Sequence, residues 1–219
     1  MVAPECVVVG GTRDVRQRGM IVGLVHAGAQ RASLRQRIAA VVAATFVFSL
    51  LGFAVAAASP APAAAATPPW YDVETYYLKL LNCTRTGGWV LSDGTCKGYG
   101  SGRYSKYVAP IGRSSGLSAV SRSWAKRLVL NNDCYHGDVH ARLSRAGYTS
   151  WTWGENIGCR DGYSSAKRAV LASHLKYQAE KSTGGGHWKN IKNARFKYIG
   201  IGVWKGSGRV RLVTDFYSW

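Results

Sequence analysis

The sequence predicts an α+β domain of packed helix and sheet layers, set behind an exported leader. Two observations carry the fold class. Apolar residues recur at helical spacing in four segments between residues 72 and 180, and the last twenty residues alternate with period two about a Gly-rich turn. A third observation, an uncharged run over residues 38–58 with arginines ahead of it, carries the leader. The chain has 219 residues, enough for one core plus extensions.

The leader comes first. Arg31, Arg35 and Arg37 precede the apolar run, and Ala63 to Ala66 with Thr67-Pro68-Pro69 follow it. Positive flank, apolar run and small-residue exit read as a secretory signal over residues 1–66, cleaved near Ala66. The run is long for a signal, so an uncleaved membrane anchor through residues 38–58 is the alternative. Residues 1–19 fall outside the pattern, and Met20 is a second candidate start. Ser59 to Pro69, rich in Pro and Ala, reads as a linker or cleavage tail.

From Trp70 the chain reads as one domain. Asp72 caps a first helix with Val73, Tyr76, Tyr77, Leu80 and Leu81 at helical spacing, ending near Asn82. Residues 83–116, dense in Gly, Ser and Lys, read as a long loop. A second helix is expected over Ser118–Leu130 and a third over about 137–146, stopped by Gly147. Trp151, Trp153 and Ile157 mark a short strand over 151–158. Ser164 or Ser165 opens a fourth helix reaching about Glu180, and a short helix follows the glycines at 184–186 and covers His187 to Asn193. Ile199 to Trp204 and Val210 to Tyr217, joined through Lys205-Gly206-Ser207-Gly208, make a hairpin.

Charge and cysteines bound the environment. The whole chain carries +18; without residues 1–66 it keeps 23 basic and 9 acidic residues, a net charge of +14. Such a surface attracts wall polymers, lipid headgroups and other anions. The basic residues are scattered rather than grouped in one stripe, so nucleic acid is not the expected partner. Beyond the leader remain Cys83, Cys96, Cys134 and Cys159, an even count that implies two disulfides in an exported chain. Of three possible pairings, the nearest-neighbour solution, Cys83–Cys96 with Cys134–Cys159, is preferred, each bridge contributing about 3 kcal/mol in the chain-entropy model. No Cys-x-x-Cys spacing supports a thiolate metal site.

Four polar residues stand out for chemistry. They are His136 in Cys-Tyr-His-Gly-Asp, Glu155 in Trp-Gly-Glu-Asn-Ile-Gly-Cys, Glu180 in Gln-Ala-Glu-Lys and His187 in Gly-Gly-Gly-His-Trp. Two imidazoles and two carboxylates form a metal site or an acid/base pair if the fold unites them. Each also has a plain role: His136 packing beside Cys134, Glu155 closing backbone hydrogen bonds, Glu180 as a solvated helix end, His187 as a helix cap. No Gly-x-Ser-x-Gly elbow and no His-Glu-x-x-His helix offers a standard mechanism. Trp89, Trp151, Trp153, Trp188, Trp204 and Trp219 are expected mostly in the core, with Trp188 and Trp151 or Trp153 as candidates for a cleft rim.

Several segments, in order, resemble the CAP superfamily of cysteine-rich secretory proteins, venom antigens and plant pathogenesis-related proteins, and more narrowly its bacterial exported branch. Leu80-Leu81-Asn82-Cys83-Thr84-Arg85 resembles the Asn-x-x-Arg opening helix, and Trp124-Ala125 resembles the second helix. Gly154-Glu155-Asn156-Ile157 matches the Gly-Glu-Asn signature. Gly186-His187-Trp188 with Asn190-Ile191, then Phe196 and Ile199-Gly200-Ile201-Gly202-Val203, looks like the Gly-His segment leading into the last hairpin. The resemblance runs from about Tyr77 to Tyr217, which sets residues 67–76 as a short linker and 77–219 as the CAP (SCP-like) domain. It implies a three-layer α-β-α sandwich with a central antiparallel sheet and a broad cleft.

In that family two His and two Glu line the cleft and hold a divalent metal in some members. His136, Glu155 and His187 match three of the four. The family's Trp-x-x-Glu helix has no Trp here: the stretch is Ala172 to Glu180, where Glu180 is the only carboxylate and His174 the alternative. The family's second, Cys-containing signature near the C-terminus is replaced by Thr214-Asp215-Phe216-Tyr217. The preferred reading is a secreted, monomeric protein whose His/Glu cleft binds a surface or wall-derived ligand, such as a lipid or glycan, and a divalent metal such as Zn2+. The first alternative is a zinc-dependent hydrolase of peptides or wall peptide stems, with Glu155 and His136 catalytic, or Glu180 as base. The second is a cationic surface protein that binds anionic wall polymers or lipids through charge.

Overall fold

A computed structural model describes the backbone of residues 6–9 and residues 66–219. The apolar run at 38–58, the cleavage region before Ala66 and Met20 lie outside the described residues. In chain order the elements are β1 (Cys6–Val9), α1 (Tyr71–Arg85), β2 (Trp89–Val90), β3 (Cys96–Lys97), β4 (Gly112–Arg113) and α2 (Ser115–Leu130). There follow α3 (Val139–Arg145), β5 (Thr152–Asp161), α4 (Ala166–Ala179), a 3-10 turn at Glu180–Ser182, α5 (Gly186–Lys192), β6 (Tyr198–Gly206) and β7 (Arg209–Ser218).

The main sheet has the order β1-β5-β7-β6-β4. It is antiparallel from β1 to β6, and β4 joins β6 in parallel, so the expected antiparallel sheet has one parallel edge pair. β5 runs three residues further than its expected end at 158, because Cys159, Arg160 and Asp161 continue the ladder against Arg211, Val210 and Arg209. Inside the predicted loop 83–116 a small ribbon, β2 with β3, is tied by the Cys83–Cys96 disulfide.

Side chains alternate across the strands and define the layers. Ile199, Ile201, Val203, Val210, Leu212 and Phe216 face α1, α4 and α5 and pack with Val73, Tyr77, Leu81, Val170 and Tyr177. Ile157, Cys159 and Val213 face α2, and Trp153 and Tyr217 pack with Leu117, Val139 and Leu143 of α2 and α3. The residues from 66 to 219 therefore form a helix-sheet-helix sandwich. Two glycines on β6 let α2 lie directly on the sheet. A Cβ at Gly200 would stand 2.5 Å from the Leu117 carbonyl oxygen, and one at Gly202 2.2 Å from the Arg122 nitrogen.

Helix starts moved for local reasons. α1 begins after Trp70, whose left-handed φ of 68° turns the chain with no side-chain cap, so Asp72 sits within the first turn and favours the helix dipole there. α2 begins three residues before Ser118 because Ser114 accepts from the Leu117 amide. Ser118 is instead buried and takes the Ile201 amide of β6. Asp138 and Ser165 cap α3 and α4. The tryptophans depart from expectation: Trp153 is buried with Trp124, whereas Trp151 and Trp219 are exposed, Trp151 stacked on the His140 ring at 3.7 Å. Among the described residues no helix is long and apolar enough to cross a membrane.

Candidate functional site

The four singled-out residues form two couples, one on each face of β5. Glu155 shares the face of Trp153 and Ile157, toward α2 and α3. His136 comes from the loop before α3, and its Nδ1 lies 2.6 Å from Glu155 Oε1. The Cys134–Cys159 disulfide ties that loop to β5 itself, two residues from His136. On the other face, Glu180 ends α4 and His187 opens α5. His187 Nδ1 lies 2.5 Å from Glu180 Oε1, and Glu180 Oε2 accepts the His187 amide at 3.0 Å. Gly185 makes room for this carboxylate: a Cβ there would stand 2.4 Å from Glu180 Oε2. His187 also stacks on Tyr177 at 4.2 Å.

An amide pair holds the second couple against β5. Asn190 of α5 donates to the Glu155 carbonyl at 3.2 Å and to Asn156 Oδ1 at 2.8 Å, and Asn156 donates to the His187 carbonyl. Both asparagines are fully buried. The couples therefore stand on either side of one stretch, Gly154 to Ile157, at the outer edge of β5. That stretch is the one paired with β1.

The two couples differ in setting. Glu155 is completely buried, and Asp215 of β7 lies directly across the ladder, equally buried. Two carboxylates so placed need a cation. Arg142 of α3 supplies it: its Nη2 bonds Glu155 Oε2 and lies 3.5 Å from Asp215 Oδ1, and its Nη1 donates to the His136 carbonyl at 2.9 Å. The guanidinium also lies over the Trp124 ring at 4.6 Å. Ser121 donates to Asp215 Oδ2 at 2.6 Å. Glu180, by contrast, keeps 22% of its side chain exposed. Arg142, Asp215 and Ser121 were missed by sequence reasoning. Asp215 carried a signal, since it lies between Val213 and Tyr217 in an inward register; Arg142, in a helix with Arg145, looked like surface charge.

Of the two candidates for the fourth position, Glu180 is the one bonded to His187. His174 lies in the α1–α4 seam, fully buried, with Nε2 2.8 Å from Thr84 Oγ1 and its ring edge-on to Tyr77. Burial pulls its pKa down to about 3, so it is neutral. A cavity of about 640 Å³ opens beside α2 and α3 against Val120, Trp124, Tyr135 and Arg142. None of the four couple residues lines it, and Arg142 and Trp124 join it to the site.

The donor set can be tested against zinc, which takes three or four protein ligands. In each couple the imidazole Nδ1 faces a glutamate oxygen, so the carboxylate fixes the orientation of the ring. All four glutamate oxygens are engaged with histidine, arginine or backbone amides. Among the described residues no group of three or more His, Cys, Asp or Glu is placed to hold a metal. The residues do not fit a resident zinc centre.

A family model described as CAP, the cysteine-rich secretory protein family, matches residues 101–216. Among curated proteins none matches the chain. Solved structures similar to it include an extracellular protein containing an SCP domain from Bacillus anthracis, at 21% identity and a TM-score of 0.41 over 51% of this chain and 35% of that one. NaASP2, crystallised with Zn2+, aligns at 14% identity and a TM-score of 0.47 over 67% of this chain and 79% of its own. A cysteine-rich secretory protein from Staphylococcus aureus aligns at 11% identity and a TM-score of 0.43 over 67% of this chain and 38% of its own. This chain spans about a third of the length of the two bacterial proteins.

Proposed function

We propose, for a chain that belongs to the CAP family of cysteine-rich secretory proteins, that the outer edge of β5 is a ligand-binding cleft that acts at the cell surface and performs no chemistry. In this reading residues 1–66 are removed near Ala66 and the rest acts as a monomeric domain, whose core already includes Val73 of α1, so the expected linker 67–76 ends before Tyr71. The observation that supports it is the pairing itself. Each imidazole Nδ1 lies within hydrogen-bond distance of a carboxylate oxygen, which fixes the ring's orientation. The buried Glu155–Arg142–Asp215 network holds the first ring rigidly. Such preorganised polar groups orient a ligand, and the net charge of +14 draws anionic wall polymers, lipids or glycans toward them.

The second reading is a zinc-dependent hydrolase with Glu155 and His136 at its centre. It requires donors beyond those the couples supply, so binding without turnover is favoured. The two are separated by measuring bound metal in purified residues 67–219, together with turnover of peptides and wall fragments, for the wild type, His136→Ala and Glu155→Gln. The proposal expects substoichiometric metal and no turnover in any of the three. Stoichiometric metal, with turnover lost in both variants, would overturn it.

A further inference from the structure

We infer that the ligand of this cleft is the main chain of an extended polypeptide, added as a strand to the outer edge of β5. The inference rests on the reading of this edge as a binding site and adds a polypeptide main chain to the wall-derived ligands proposed above. β5 is held into the sheet by β7 along its whole length, from Thr152↔Ser218 to Asp161↔Arg209. On its other side, among the described residues, four are covered, and the cover is Cys6–Val9, antiparallel, with Cys6 opposite Ile157, Val7 opposite Asn156, Val8 opposite Glu155 and Val9 opposite Gly154. Among the described residues β1 has no other strand neighbour in the sheet. The occupant therefore sits along the stretch flanked by the two histidine–glutamate couples, beside α5.

In the reading proposed above, the covering strand lies in the removed segment, residues 1–66, and the strand it covers lies in the domain that remains. Every buried core side chain described, and both disulfides, lie within residues 73–217. Removing residues 1–66 therefore takes away β1 and leaves the core. It bares the edge N–H and C=O groups of Gly154 to Ile157, which then need partners. The edge is held in place: Asn190 grips the Glu155 carbonyl, and the Asn156–Asn190 pair fixes α5 beside it. Backbone pairing supplies affinity in such a site, and residues to either side select sequence. The resident example, Cys-Val-Val-Val, specifies the partner: a proline-free segment rich in β-branched apolar residues.

The test uses residues 67–219 and a peptide copying residues 4–11, with serine at the cysteine position. Amide exchange is read at 154–157 and peptide affinity by calorimetry. Strand addition predicts that the amides of this stretch facing the edge gain at least about tenfold protection when the peptide is saturating. It predicts that a peptide carrying Val8→Pro, which loses a donor and cannot continue the ladder, binds at least about tenfold more weakly. Raising the salt should change this affinity little, since the pairing is not ionic. Equal binding of the proline peptide, or protection outside 154–157 only, would overturn the inference. So would protection without peptide accompanied by dimer formation in sedimentation, because a second copy would then be the occupant. Failure of the couples to bind wall ligands, with peptide protection retained, would remove the surface-ligand reading and leave strand addition standing.

Discussion

Arg142 decides whether the first couple exists. Glu155 and Asp215 are both fully buried and directly opposed, and the Arg142 guanidinium reaches both and also holds the His136 carbonyl. Replacing it leaves two buried carboxylates without their cation, a loss in the class of a broken buried ion pair. Arg142→Met should destabilise the domain by about 3 kcal/mol in denaturant unfolding. A loss of less than about 1 kcal/mol would mean that the acids are held without it. His136, Glu155 and His187 were legible because each stands in a distinctive local setting beside Gly, Cys or Trp. Their pairing was not, because Nδ1-to-carboxylate contacts depend on which face of β5 each side chain takes. Glu180 looked like an ordinary helix end, and only the absence of a Cβ at Gly185 lets its carboxylate reach the His187 amide and ring.

Among the elements, α1 and α4 meet through polar groups that the apolar pattern did not reveal. Thr84 bonds His174 and Gln178, and Gln178 bonds both backbone groups of Val90. His174 is neutral there, its pKa lowered from 6.5 to about 3 by burial. In the unfolded chain it takes a proton near its ordinary pKa, so the unfolded state binds more protons over that interval. Its stabilising contribution is complete above pH 6.5 and is lost as pH falls from 6.5 toward 3. By about pH 5 the loss should reach on the order of 2 kcal/mol, and His174→Gln should show a correspondingly flatter acid limb in unfolding titrations. Parallel acid limbs for the two proteins would refute the assignment. At this scale the helices were readable from spacing, and their starts were displaced by two serines with exchanged roles, Ser114 as cap and Ser118 as buried partner of β6. β4 was unreadable because a two-residue strand has no period.

For the molecule as a whole, the layered α+β fold followed from helical and alternating segments, and the disulfides followed from nearest-neighbour pairing. The place of β5 between β1 and β7 did not, since strand order depends on which strands the hairpin meets after folding. In the proposed reading the outer side of β5 joins the two His–Glu couples into one cleft. The net charge of +14 over residues 67–219 gives any anionic surface a general, salt-sensitive attraction. The cleft reading requires a component beyond this attraction. The most direct test is binding of residues 67–219 to isolated envelope fragments at about 0.5 M salt, where the Debye length is only a few ångströms, compared among the wild type, His136→Ala and His187→Ala. The account predicts a saturable fraction that survives the salt in the wild type and is lost in both variants. Binding that disappears with salt in the wild type, or that persists unchanged in both variants, would contradict it.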